Sequence, residues 1–306
     1  MSHSTWLLVV ALGALTVSIV LQAILIARDP TPATHDTARL ANATSCPPTG
    51  GAATIAAAPQ ACSLPETMRA ATYARTWFVL GDEFAAGQGA SVSYLSLLQA
   101  QARTLTNANP VVVNAVGDAN AQSLPDQVDL VRRTTAYRSL LASTQPALVV
   151  VSYGAGLLQR QADRGAQDAA LSIVMEHLAA LTSPGNTSLI PPDRTSQFYV
   201  LLLSHPDPTH GGVAVPAECA TCPSLNHPTL ASRTAHREIY ASLRLVYAGL
   251  AARHGWAWLD TDVALGSYAW PGAPNCAASA FADCYLYNDL GQSLLASETW
   301  KCLSGE

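Results

Sequence analysis

Short runs rich in Val and Leu recur along the chain at Trp77–Leu80, Val111–Val113, Leu148–Val151, Phe198–Leu203 and Trp256–Leu259. Each is bounded by Gly, Pro, Asn or Asp, and none alternates apolar with polar residues as a half-exposed strand does. The pattern predicts strands buried on both faces. Between them the apolar spacing changes to three and four, as in Leu171, Val174, Leu178 and Leu181, and again in Ile239, Leu243, Val246 and Leu250 with Gly255 as the stop. Those segments predict amphipathic helices. Strand alternating with helix predicts a three-layer α/β/α domain on a parallel five-stranded sheet, over residues 74–306. In such sheets ligands bind outside the carboxyl ends of the strands.

A different pattern precedes the domain. Residues Trp6 to Ala27 form a run of 22 without a charge, 18 of them apolar. As a helix at about 1.5 Å per residue the run spans roughly 33 Å, enough to cross a hydrocarbon core of about 30 Å. It is longer than the apolar core of a removable signal and lacks the small-residue cleavage site. Residues 1–27 are therefore expected to be a single-pass anchor that contacts the bilayer through 6–27. From Arg28 to residue 73 the composition turns to Ala, Thr and Pro without an apolar period, which predicts a linker.

The 306 residues are 49% apolar and 12% charged, with 16 Lys+Arg against 21 Asp+Glu. A net charge of -5 excludes the basic surface that phosphate backbones require, so no nucleic-acid partner is expected. Seven cysteines include the close pairs Cys46/Cys62, Cys219/Cys222 and Cys276/Cys284. Such pairs are disulfide candidates, and Cys302 is left to partner Cys284 or Cys276 as the alternatives. Arg28 and Arg39 follow the span and weigh towards a cytoplasmic domain, but the cysteines weigh towards an oxidising compartment. The domain is placed outside the cytoplasm, periplasmic in a Gram-negative bacterium.

The strand ends carry specific blocks. Gly81-Asp82-Glu83-Phe84-Ala85-Ala86-Gly87 follows the first strand, Asn114-Ala115-Val116-Gly117-Asp118 the second, and Ser152-Tyr153-Gly154-Ala155-Gly156-Leu157 the third. Asp283-Cys284-Tyr285-Leu286-Tyr287-Asn288-Asp289-Leu290-Gly291 precedes the last helix. In this order the set resembles the SGNH (GDSL) hydrolase superfamily over roughly residues 75 to 300. That resemblance implies a flavodoxin-like sheet. It also implies a GDS-x-x-x-G nucleophile block, an oxyanion Gly, a G-x-N-D block and a closing D-x-x-H-P-N-x-x-G block.

The departures fall on the reacting positions. Glu83 stands at the nucleophilic Ser, Gly156 at the oxyanion Asn and Leu286 at the general-base His, while Gly117 and Asp283 match the family. Acyl transfer by this route needs a hydroxyl nucleophile, a base to take its proton and donors aimed at the oxyanion. Glu83 offers no hydroxyl, Leu286 accepts no proton and Gly156 has no side-chain donor. The expectation is a pseudoenzyme with no catalytic residues and no cofactor.

Other groups have bland and sharp readings. Asp82, Glu83, Asp118, Asp283 and Asp289 are expected near one edge, where they either suit a cation or hold loop backbone. In the bland reading Glu83 caps the helix after the first strand. His205, His210, Cys219, Cys222 and His227 admit a zinc reading, but one C-x-x-C in an oxidising setting favours a disulfide, so no metal is expected. Trp256, Trp258, Tyr268, Trp270, Tyr285 and Tyr287 crowd the C-terminal third as core or as interface. The function expected is a non-catalytic, membrane-anchored accessory subunit docking on an integral membrane protein or a multi-subunit membrane complex. The alternative is an esterase, an acetylhydrolase, or a carbohydrate- or lipid-binding module using a modified pocket.

Overall fold

A computed structural model describes residues 62–87, 90–116, 123–159, 161, 164–182, 188–205, 230–265 and 287–305, all within one unit running from Ala57 to Glu306. The span 6–27, Cys46, Gly117, Asp118, His210, Cys219, Cys222, His227, Tyr268, Trp270, Cys276, Asp283, Cys284, Tyr285 and Leu286 lie outside the described residues. Among the described residues no helix is long and apolar enough to cross a membrane.

Six strands form one mixed sheet: β1 (Cys62–Ser63), β2 (Thr76–Gly81), β3 (Val111–Asn114), β4 (Ala147–Ser152), β5 (Phe198–Leu203) and β6 (Ala257–Leu259). Their spatial order is β1-β6-β5-β4-β2-β3. Strands β2 to β6 pair in parallel, with registers Thr76 to Val111, Thr76 to Ala147 and Ala147 to Phe198. Counted from the first of them, the order is 2-1-3-4-5, the flavodoxin-like winding. The helices are α1 (Tyr94–Thr106), α2 (Leu124–Arg133), α3 (Thr135–Leu141), α4 (Ala155–Gln159), α5 (Arg164–Ala179), α6 (Leu230–His254), α7 (Thr261–Leu265) and α8 (Asp289–Ser304).

The five apolar runs all form strands, and the odd and even positions of each bury against opposite layers. Trp77, Val79, Leu148, Val150, Leu201 and Leu203 face α1 and α8 in one core. Phe78, Leu80, Val149, Val151, Val200 and Leu202 face α2, α3, α5 and α6 in the other. β3 departs from the expectation of full burial. It is the sheet edge, so Val111 is 58% exposed.

Two sequence expectations are corrected here. Residues 62–73, placed in the linker, belong to the folded unit: Cys62 and Ser63 pair antiparallel with Leu259 and Trp258, and Glu66–Tyr73 form a 3-10 helix packed on α8 and α1. The sheet is therefore six-stranded and mixed rather than five-stranded and parallel. Cys62, in turn, bonds to Cys302 and not to Cys46, and Cys302 to neither Cys276 nor Cys284. The pairing of β1 with β6 brings Cys62 to the far end of α8, where its Cα lies 5.5 Å from that of Cys302, a normal span for a disulfide. Sequence proximity had suggested the wrong partners because the contact joins residues 240 apart.

Candidate functional site

The order of the chain reverses between β2 and β4: it leaves β2 for the outer β3 and returns to β4 on the opposite flank. A crevice opens outside their carboxyl ends at such a reversal. Gly81 closes β2 at φ +147°, and a Cβ there would lie 1.8 Å from the Ser152 carbonyl oxygen. The Gly81 peptide groups turn instead to Gln127: its N–H donates to Oε1 and Nε2 donates to its carbonyl, both at 2.7 Å.

The next residue ties the two strand ends together. The Asp82 amide donates to the Ser152 carbonyl at 3.0 Å. Its carboxylate accepts from the Phe84 amide at 3.2 Å and from the Gly156 amide at 3.1 Å. Burial, supported by the neighbouring Glu83 charge, pushes the Asp82 carboxyl up to about 6 against the Gly156, Phe84 and Ala85 amides, which favour ionisation. The folded state therefore holds this proton more tightly than the unfolded chain, whose value is 3.8. Stability gained below pH 3.8 is lost as pH rises through about 6, by about 1–3 kcal/mol. Urea titrations of wild type and Asp82→Asn at pH 4 and pH 7 should show this extra loss in wild type alone. Parallel profiles would refute the assignment.

Glu83 does not cap a helix, contrary to the bland sequence reading. It opens a turn closed by Ala86 N–H to Asp82 O and Gly87 N–H to Phe84 O. The helix that follows begins only at Tyr94, with Ser93 as its cap. Gly156 lies in the first turn of α4, and its amide is given to Asp82. The structure thus brings Asp82, Glu83 and Gly156 to one crevice; Gly117, Asp283 and Leu286 lie outside the described residues.

Aromatic side chains floor this end of the sheet. Phe84 packs on His205 and on Tyr287 with ring centroids 4.3 and 4.9 Å apart, and His205 also meets Tyr240. His205 is buried in this stack. Tyr247 donates its hydroxyl to the Tyr153 carbonyl at 2.7 Å and accepts from the Tyr153 amide at 2.6 Å. Tyr240 donates to the Ala155 carbonyl. Burial pushes the Tyr153 hydroxyl, 2.7 Å from His177 Nδ1, up to about 12.

The closing block has a structural role in its described part. Asn288 caps α8 by accepting from the Gly291 amide at 3.0 Å. Asp289 accepts from the Ser91 amide and hydroxyl at 2.6 and 2.8 Å, and that hydroxyl holds its carboxyl below the usual range. Gln292 accepts from the Tyr94 amide at 2.8 Å. Beyond β5 and β6, Arg244 bridges Asp260 and Asp262, and Thr261 exchanges bonds with Ser204. Of the five carboxylates expected together, Asp82 and Glu83 sit at the crevice and Asp289 serves the Ser91 loop. Among the described residues no cluster of His, Cys, Asp and Glu is arranged to hold a metal.

Sequence reasoning missed Gln127, Gln292, Tyr153 and Tyr247. A signal existed for two of them. Gln127 falls on the buried stripe of α2 with Leu124, Val128 and Val131, and Gln292 on that of α8 with Leu295 and Thr299. A polar residue on an apolar stripe marks a buried hydrogen bond, here to Gly81 and to the Tyr94 amide.

The α/β fold, with its mixed six-stranded sheet and family-like blocks at the strand ends, resembles SGNH hydrolases. Among solved structures the chain is similar to an extracellular lipase from Streptomyces rimosus, at 18% identity and a TM-score of 0.47 over 74% of this chain and 99% of that one. It is similar to phospholipase A1 from Streptomyces albidoflavus NA297, at 17% identity and a TM-score of 0.45 over 74% and 99%. A member of the lipolytic protein G-D-S-L family from Veillonella parvula DSM 2008 follows at 13% identity and a TM-score of 0.42 over 74% and 96%. No family model matches the chain, and no curated protein matches it.

Proposed function

We propose that this chain is a non-catalytic SGNH-like subunit, anchored in a membrane by residues 6–27, whose extracytoplasmic domain docks on an integral membrane protein or membrane complex. The observation that carries the loss of catalysis is the use made of the switch point. The position following Asp82 holds a carboxylate, Glu83, and the Gly156 amide donates to Asp82, leaving no Asn side chain in place to meet an oxyanion. A carboxylate at that place cannot serve as the alkoxide nucleophile of this route, and losing a single oxyanion donor costs about 100–1,000-fold. The Cys62–Cys302 bond supports an oxidising compartment.

Aryl acetate esters incubated with the full chain should give no turnover above the uncatalysed rate. Glu83→Ser should give none either, because Leu286 still stands at the base position. Turnover in the wild type that disappears in Glu83→Gln would instead establish the hydrolase reading. Extraction in mild detergent followed by identification of stoichiometric companions tests the docking role.

A further inference from the structure

The Asp82 carboxylate is a junction between two loops. Phe84 donates to Oδ1 at 3.2 Å, Gly156 donates to Oδ2 at 3.1 Å, and the Ala85 amide also favours the charged form. All three are N–H donors, which an ionised carboxylate satisfies and an un-ionised carboxyl does not. The acid carries an O–H of its own, and that hydrogen must displace one of the amides. Phe84 and Ala85 belong to the same turn as Asp82 and stay beside it. Gly156 is 74 residues away, in a helix of 5 residues, and is the amide free to leave.

The peptide joining Ala155 to Gly156 is gripped at both ends. Its N–H goes to Asp82, and its carbonyl accepts from the Tyr240 hydroxyl at a longer 3.3 Å. Gly156 is buried. A buried N–H that loses its acceptor must reach water or another acceptor, and that requires the turn to move.

Titratable groups face Asp82 from the elements packed around it. Glu83, in its own turn, favours the acid. Burial, with the Asp82 charge adding to it, holds the hydroxyls of Tyr94 on α1, Tyr153 after β4 and Tyr247 on α6 above their ordinary value, so they stay neutral. His177 of α5 stands one hydroxyl further off, on Tyr153, where Asp126 of α2 also acts. His205 lies behind the Phe84 ring.

We infer that Asp82 is a proton-operated latch: its carboxylate ties the first turn of α4 to the turn after β2, and protonation releases the Gly156 amide. Burying the charge costs desolvation, so the acid gives way to the carboxylate only at about pH 6. The latch does not depend on the proposed function. Hydrogen exchange of the full-length chain in mild detergent reads it, in peptides covering residues 153–158 and corrected for intrinsic exchange. Protection of the Gly156 amide should fall by about 10-fold or more from pH 8 to pH 5, while peptides from β4 keep theirs. Asp82→Asn, which brings N–H donors of its own, should show the low protection at both. Glu83→Gln removes the neighbouring charge and should move the midpoint to lower pH, a test that stands even where Asp82→Asn does not fold. His177→Gln should leave the midpoint in place. Protection in the wild type that does not change with pH would overturn the latch, as would a loss that β4 shares. So would a step that persists in Asp82→Asn, that Glu83→Gln does not move, or that His177→Gln abolishes.

Discussion

Gly81→Ala should leave little folded protein. At φ +147° an alanine is strained wherever it is placed, and its Cβ would overlap the Ser152 carbonyl oxygen at 1.8 Å and the Ala85 side chain at 2.7 Å. Neither neighbour can yield cheaply. Ser152 O accepts the Asp82 amide, and Gly81 is itself gripped on both peptide groups by Gln127. Strained backbone costs about 1–3 kcal/mol and the overlap adds to it, so a loss of about 4–5 kcal/mol is expected. That is a large part of the 5–15 kcal/mol that roughly describes a native domain. The soluble yield and the urea midpoint measure it. A variant melting within a few degrees of wild type would show that β2 and β4 can separate at this point.

The second large effect concerns Cys62–Cys302. Cross-linking residues 240 apart removes chain entropy worth about 5 kcal/mol in the loop-closure model, against 2–4 kcal/mol typically observed. Cys302→Ser, or reduction of the wild type, should lower the melting temperature by roughly 5–15 °C. The loss should be local first. β1 has two residues paired with β6, and the 3-10 helix Glu66–Tyr73 follows it directly. Limited proteolysis should therefore cut before Thr76 in the reduced protein and not in the oxidised one. Equal melting temperatures with and without reductant would refute the stabilising role.

These two cases mark what was and was not legible in the residues. The parallel strands announced themselves because a strand covered on both faces must be apolar throughout, and Leu148–Val151 or Phe198–Leu203 can be little else. β1 could not be read. Two residues, Cys62 and Ser63, in an Ala/Thr/Pro-rich stretch have no local preference that matters, and their place is fixed by β6 and α8, far away in sequence. The switch point was half legible. Glycines and acids after β2 and glycines after β4 indicated the crevice, and the reading of Asp82 as a holder of loop backbone is met, but which amide it would hold, that of Gly156, was not legible. Glu83 was misplaced as a cap because helix start signals near 83 compete with the stronger Ser93, ten residues on. The hydroxyl of Tyr247 left no trace, since aromatic residues on a helical stripe read as core whatever their polar tips reach.

Helix α6 does more than cover the sheet. Its inner face sends Tyr240 and Tyr247 to the peptide groups of Tyr153 and Ala155, so the loop after β4 is held by side chains where a neighbouring strand would otherwise hold it. Two hydrogen bonds converging on one hydroxyl fix the roll of a helix far more strictly than apolar packing does, because a small turn about the axis lengthens both. The roll of α6 and the path of the loop that carries Gly156 are thus fixed by the same two hydroxyls.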